Sequence, residues 1–168
     1  MIKIDLDLSR CCACGACAVA CMDQNDIDVE AGVRPFRSVF QEESGDGPFP
    51  DNFSIACMHC QDAACLLACP AGCIYKDEKS GLTLYDNTGC IGCHSCAMAC
   101  PFGAPSFGTD GKMIKCDGCA ARLEAGLEPA CVRACAFGAL RIVREGEGNI
   151  KAEHSLACQC EKLAAQQK

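Results

Sequence analysis

Apolar and charged residues alternate over positions 2–8, Ile-Lys-Ile-Asp-Leu-Asp-Leu, the pattern of a half-buried strand. A second strand is expected over Ala139 to Val143, able to pair with the first. Between them, Cys73-Ile74-Tyr75 and Leu82-Thr83-Leu84-Tyr85 flank a turn at Asp77 to Gly81 and read as a hairpin. Pro70 and Pro101 set the ends of two short helices, since proline cannot donate to a helix ladder. The longest apolar stretch, Cys11 to Met22, is too short to span a bilayer. Each half of the chain therefore reads as strand, loop and short helix.

The loops are dominated by cysteine, 20 in 168 residues. Sixteen fall into four quartets. Cys11, Cys14, Cys17 and Cys21 are spaced C-x2-C-x2-C-x3-C, and Cys90, Cys93, Cys96 and Cys100 repeat that spacing before Pro101. Cys57, Cys60, Cys65 and Cys69 follow C-x2-C-x4-C-x3-C before Pro70, and Cys116, Cys119, Cys131 and Cys135 carry a longer insertion. The C-x2-C-x2-C-x3-C-P run is the bacterial ferredoxin signature for 4Fe-4S clusters. Cysteine at about 12% also suits a secreted disulfide scaffold. Against that, Lys3, Asp5, Asp7 and Arg10 interrupt any signal-peptide core in residues 1–22. Zinc is the better competitor, but zinc sites usually join two separated pairs, whereas three cysteines at x2 intervals plus a fourth suit a cube.

Bulky core residues are few: no Trp, two Tyr and seven Phe. The cysteines must therefore supply structure as well as chemistry. The formal charge is −7, and four clusters with their thiolates bring it to about −15. Nucleic acid, which needs a basic face, is not an expected partner.

The last two cysteines of each quartet lie four apart and share one helix face. One cube cannot easily use both, and in two-cluster ferredoxins the fourth cysteine ligates the other cluster. The expected fold is α+β: two interlocked bacterial-ferredoxin-like repeats with short strands, short helices and long ligand loops. Small residues in the loops, among them Ala13, Gly15, Gly92 and Gly118, would let backbone amides approach the cluster sulfides and raise the potential.

The runs Cys100-Pro101-Phe102-Gly103-Ala104-Pro105 and Gly111-Lys112-Met113-Ile114-Lys115-Cys116-Asp117-Gly118-Cys119, with Arg122-Leu123 and Pro129-Ala130-Cys131, carry a family resemblance. Over residues 2–145 the chain is similar to the four-cluster electron-transfer subunits of molybdopterin and tungstopterin oxidoreductases, such as dimethyl sulfoxide reductase and formate dehydrogenase. The resemblance implies a non-catalytic relay of single electrons through four 4Fe-4S clusters. It also implies crosswise pairing: Cys11, Cys14, Cys17 with Cys135; Cys57, Cys60, Cys65 with Cys100; Cys90, Cys93, Cys96 with Cys69; and Cys116, Cys119, Cys131 with Cys21. The implied partner is a catalytic pterin subunit, with a further flavin or hydrogenase redox subunit as a second. A free polyferredoxin and a zinc-stapled interaction module are the alternatives.

The four-cluster domain is expected over 1–150, with an outer pair of clusters from 11–21 and 116–135, an inner pair from 57–69 and 90–100, an insertion at 22–56 and a tail at 151–168. Many relatives carry a longer C-terminal extension, and the end at Lys168 argues against a membrane-anchored complex. With no signal peptide read in residues 1–22, a cytoplasmic location is expected, co-export with a signal-bearing partner being the alternative. Ala136 stands where the family has Pro, which should change packing beside the first cluster. Cys12 and Cys73 are read as incidental or packing residues, His154, Cys158 and Cys160 as part of a solvated tail helix, and His59 and His94 as neighbours of ligands. Phe36, Phe40, Phe49 and Phe53 with Arg34 and Arg37 make the insertion either a flap over the clusters or a docking surface, followed by an acidic turn at Gln41 to Gly47.

Overall fold

The structure is a computed structural model, described for residues 2–41, 52–144, 150–151 and 154–160. In chain order its elements are β1 (Ile2–Leu6), α1 (Ala16–Gln24), β2 (Ser38–Gln41), β3 (Asn52–Ile55), α2 (Ala64–Leu67), β4 (Ile74–Lys76), β5 (Thr83–Tyr85), α3 (Ser95–Ala99), β6 (Ser106–Phe107), β7 (Met113–Ile114), α4 (Ala120–Glu124), α5 (Ala130–Arg133) and β8 (Leu140–Arg144). Short helices mix with short strands, so the class is α+β.

Among the described residues all the strand pairs are antiparallel ribbons. β1 pairs with β8 in the register Leu6 to Leu140 and Asp5 to Arg141, as the alternation of 2–8 requires. The β4–β5 hairpin closes with Ile74 opposite Tyr85, and β2–β3 and β6–β7 form two further ribbons. The acidic turn and Phe49 lie outside the described residues, apart from Gln41 at the end of β2.

Helices pack in pairs, α1 against α5 and α2 against α3. Beside each pair sits a small core. One is built from Leu6, Cys17, Cys131, Ala139, Leu140 and Leu156, the other from Ala63, Cys65, Ile74, Cys96 and Met113. Thiols fill places that aliphatic chains hold elsewhere, so little apolar surface is buried and the fold depends on what the thiols bind.

The tail differs from the expected solvated helix. Asp5, 6% exposed, accepts from Ser155 Oγ at 2.6 Å and from the Ala157 amide at 3.0 Å. Ser155 Oγ in turn accepts from the Cys158 amide at 3.0 Å, an N-cap for the helical residues 156–160. A buried carboxylate with donors on both oxygens thus clips this segment onto β1. No described helix is long and apolar enough to cross a membrane.

Candidate metal centres

Three clefts are each lined by four of the predicted thiols. Cys11, Cys14 and Cys17 meet Cys135 at the first, Cys57, Cys60 and Cys65 meet Cys100 at the second, and Cys90, Cys93 and Cys96 meet Cys69 at the third. The remaining four also converge: Cys21 lies close enough to Cys131 and Cys119 to feel their charge, and Cys116 feels Cys21. Each group takes three thiols from one quartet and a fourth from another. The helix face explains this. Cys17 and Cys21 share one face of α1, a turn apart; α1 packs against α5, and Cys21 lies close enough to Cys131 there to feel its charge.

The loops reverse at a fixed place. The residue just before the second cysteine of each quartet is left-handed: Ala13 (φ 53°), His59 (φ 44°), Gly92 (φ 64°) and Gly118 (φ 73°). For Ala13 and His59 this costs roughly 1–2 kcal/mol. The reversal turns successive amides toward one concave side, a nest for an anion. The Gly118 amide reaches Cys116 Sγ at 3.4 Å.

A second turn recurs after the fourth cysteine. Gly72, Gly103 and Gly138 donate their amides to the carbonyls of Cys69, Cys100 and Cys135 at 3.2, 3.2 and 2.9 Å. The next amide then donates to the thiol itself: Cys73 to Cys69 Sγ (3.3 Å), Ala104 to Cys100 Sγ (3.4 Å) and Ala139 to Cys135 Sγ (3.2 Å). With Ala136 in place of Pro the same turn forms. The amide closure and the left-handed Gly138 (φ 57°) define it without proline. Only Cys21 departs. With neither Pro nor Gly after it, α1 runs on to Gln24, and the Asn25 side chain donates to Cys21 O at 2.8 Å and to Cys21 Sγ at 3.6 Å.

Two buried cations and one imidazole sit among the thiols. Lys115, 0% exposed, donates to the carbonyls of Thr83 and Cys116, lies 4.0 Å from Cys57 Sγ and stands over the Tyr85 ring. His59 Nδ1 accepts from the Thr83 amide at 3.1 Å, so Nε2 carries the proton and faces Cys116 Sγ at 3.9 Å. Burial, then Lys115 and Lys76, push the His59 pKa down to about 3, so the ring is neutral. Arg37, 4% exposed, donates from Nη1 to Ser54 Oγ at 3.0 Å, and that hydroxyl meets Cys17 Sγ at 3.3 Å.

Burial, then neighbouring thiolates, raise the Cys21 pKa to about 12 and push Cys116 up as well. Such thiols keep their protons unless a cation replaces them. The donor set therefore fits iron–sulfur clusters: soft thiolates in fours, amide and imidazole donors aimed at sulfur, and apolar walls. Among the described residues no group of three His, Cys, Asp or Glu closes on a single-ion site, His154, Cys158 and Cys160 included.

Of the other residues singled out in the sequence, Cys73 is buried against the third cleft and Cys12 is exposed beside the first. His94 is exposed and stacks on Phe107 with ring centroids 3.7 Å apart. Arg37 is corrected: it is buried and cannot anchor an exposed docking surface. Lys115 stands within a family motif without a role of its own there, and Asn25, at the end of α1, and Ser54, within β3, gave no signal at all, since a single polar residue has no period.

The 4Fe-4S dicluster domain model matches residues 49–145. One subunit of the anaerobic dimethyl sulfoxide reductase of Shigella flexneri is 39% identical over 163 residues, which cover 88% of this protein and 78% of that one. The formate dehydrogenase iron-sulfur subunit of Wolinella succinogenes is 37% identical, covering 83% of this chain and 79% of the relative. The thiosulfate reductase electron transfer subunit PhsB of Salmonella typhi is 36% identical, covering 86% and 77%. The chain belongs to the 4Fe-4S dicluster family of iron–sulfur electron-transfer subunits.

Proposed function

We propose that the chain holds four 4Fe-4S clusters in two interlocked ferredoxin-like repeats and relays single electrons to or from the catalytic subunit of a molybdenum or tungsten pterin oxidoreductase. The observation that carries this reading is the set of three clefts, each lined by four thiols from two quartets. Ligation is crosswise, with Cys135, Cys100, Cys69 and Cys21 each completing the site of another quartet. The clusters supply reversible one-electron chemistry. The chain's residues space them, exclude water and set each potential through amide, imidazole and cationic neighbours.

The order along the wire is first, fourth, second, third. Two features support it. Cys57 raises the Cys116 pKa after burial does, so the second and fourth groups adjoin. Cys14 of the first group and Cys93 of the third are exposed, while the fourth and second groups contain no exposed thiol. This order differs from the outer and inner grouping expected above: each half gives one terminal and one interior cluster.

The catalytic centre, acting on formate, an aldehyde or a similar small substrate, belongs to the partner, and a flavin or hydrogenase subunit is the second exchange partner. Assembly belongs in the cytoplasm, which keeps thiols reduced.

Anaerobic co-purification tests the reading. About sixteen irons per chain with matching sulfide, and molybdenum or tungsten on a stoichiometric partner, are expected. Full iron without a partner would point to a free polyferredoxin. Stoichiometric zinc with little iron would overturn the relay.

A further inference from the structure

Arg37, 4% exposed, is a buried charge between two thiol groups. Its Nη1 donates to Ser54 Oγ at 3.0 Å and Ser54 O at 3.3 Å, and Ser54, 2% exposed, meets Cys17 Sγ at 3.3 Å. Its Nε is buried with no partner among the described residues. Burial works against the charge, yet Cys131, Cys116, Cys17 and Cys21 hold it in place and raise its pKa overall. Cys17 belongs to the first group, and the other three belong to the fourth. A guanidinium with a free donor and thiols on two sides has no charge partner unless those thiols ionise, and they ionise when they bind iron.

We infer that Arg37 is a positioning residue for electron transfer, a fixed charge between the first and fourth clusters that raises the potential of both. The inference rests on the crosswise four-cluster reading. An electron crossing this junction leaves one cluster oxidised from 1+ to 2+ and its neighbour reduced from 2+ to 1+. No proton moves, because the guanidinium keeps its own throughout. Each added electron places negative charge beside the other cluster in a water-poor interior. A permanent cation between them attracts an added electron at either cluster and so offsets that repulsion, raising both potentials. Arg suits this place, since its charge is permanent and delocalised while its Nη1 is anchored by Ser54.

The test is an EPR-monitored redox titration of the assembled complex with Arg37→Gln and Arg37→Lys, with iron counted in each. Arg37→Gln is expected to load full iron and to weaken reduction of the first and fourth clusters at least tenfold, a fall of about 59 mV for a one-electron couple. The second and third clusters should hold their potentials, and Arg37→Lys should restore most of the shift. Full iron with unmoved potentials overturns the inference, as do equal shifts at all four clusters or equal shifts in both variants. If Arg37→Gln fails to load iron while Arg37→Lys loads with native potentials, charge is still the requirement. If neither loads, Arg37 is a packing residue and the inference fails. A wild-type protein without four clusters would instead refute the reading beneath it.

Discussion

Asn25 does with a side chain at Cys21 what backbone amides do at the other three fourth cysteines. Its Nδ2 lies 3.6 Å from Cys21 Sγ and 2.8 Å from Cys21 O. At Cys69, Cys100 and Cys135 the donor is the amide four residues on. Helix α1 denies Cys21 that amide because it continues past the thiol. A backbone donor cannot be mutated away, but this one can.

Asn25→Leu should therefore lower the potential of one cluster alone, the one shared by Cys116, Cys119 and Cys131. Losing a hydrogen bond worth about 1 kcal/mol shifts the reduction equilibrium roughly fivefold. Asn25→Asp should shift it further in the same direction, since a carboxylate repels the added electron. Redox titration of the separate EPR signals checks this, and unchanged potentials in both variants would show that the contact is idle.

Crosswise ligation gives a sharper result. Cys21→Ser should disturb the cluster of Cys116, Cys119 and Cys131 and leave that of Cys11, Cys14 and Cys17 intact. Cys12→Ala, Cys73→Ala, Cys158→Ala and Cys160→Ala should each retain about sixteen irons. Loss of the first-quartet signal in Cys21→Ser would mean that each quartet closes on itself.

The strands were legible in the sequence because alternation over 2–8 and the punctuated run 73–85 have a period or a turn chemistry that a reader can follow. Cysteine spacing made the four quartets legible for the same reason. The helix-face argument led only to a fourth cysteine that leaves its own quartet; which quartets pair was implied by the family resemblance, not by spacing. Beyond that the sequence is silent. The left-handed residue before each second cysteine is Gly in two loops but Ala13 and His59 in the others, so composition hides the repeat. Arg37 sat among aromatics and resembled an interface anchor, yet burial depends on where the chain folds back, which no local pattern records. The Asp5–Ser155 clip joins residues 150 apart.

Removing the clusters should unfold the chain. Both cores count cluster thiols among their buried members: Cys17 and Cys131 in one, Cys65 and Cys96 in the other. Without iron these are small, weakly apolar side chains facing empty clefts. Oxidative removal of iron and sulfide is expected to abolish cooperative thermal unfolding and most helical circular dichroism. An apoprotein that melts cooperatively near the holo temperature would show that the peptide core suffices.

Lys115→Met should be costly. Its ammonium is fully buried, bonded to the Thr83 and Cys116 carbonyls and near Cys57 Sγ. Removing a buried cation beside thiolates leaves their charge uncompensated, a loss of about 3–5 kcal/mol. Reduced iron content, with the second and fourth clusters lost first, is the expected outcome. Retention of all four with unchanged melting would place the compensation elsewhere.

The insertion is better tested at Arg34 than at Arg37. Arg34 is exposed, and its Nη2 donates to the carbonyls of Gly103 and Ala104, in the turn that follows Cys100. Phe40 stacks on Phe53 across the β2–β3 ribbon with centroids 4.8 Å apart, and Phe36 is half-buried. The Phe40–Phe53 stack stiffens the segment from within, and the Arg34 contacts hold it against the molecule as a flap would be held. Arg34→Ala frees one tether without touching a thiol. The variant should lose iron from the second cluster faster in air while still co-purifying with its partner. Phe36→Ala should act in the same sense. A partner lost at full iron content would instead make the segment a docking surface, because shielding and docking put opposite demands on the same contacts: one must stay closed over the cluster, the other must be free to meet another protein.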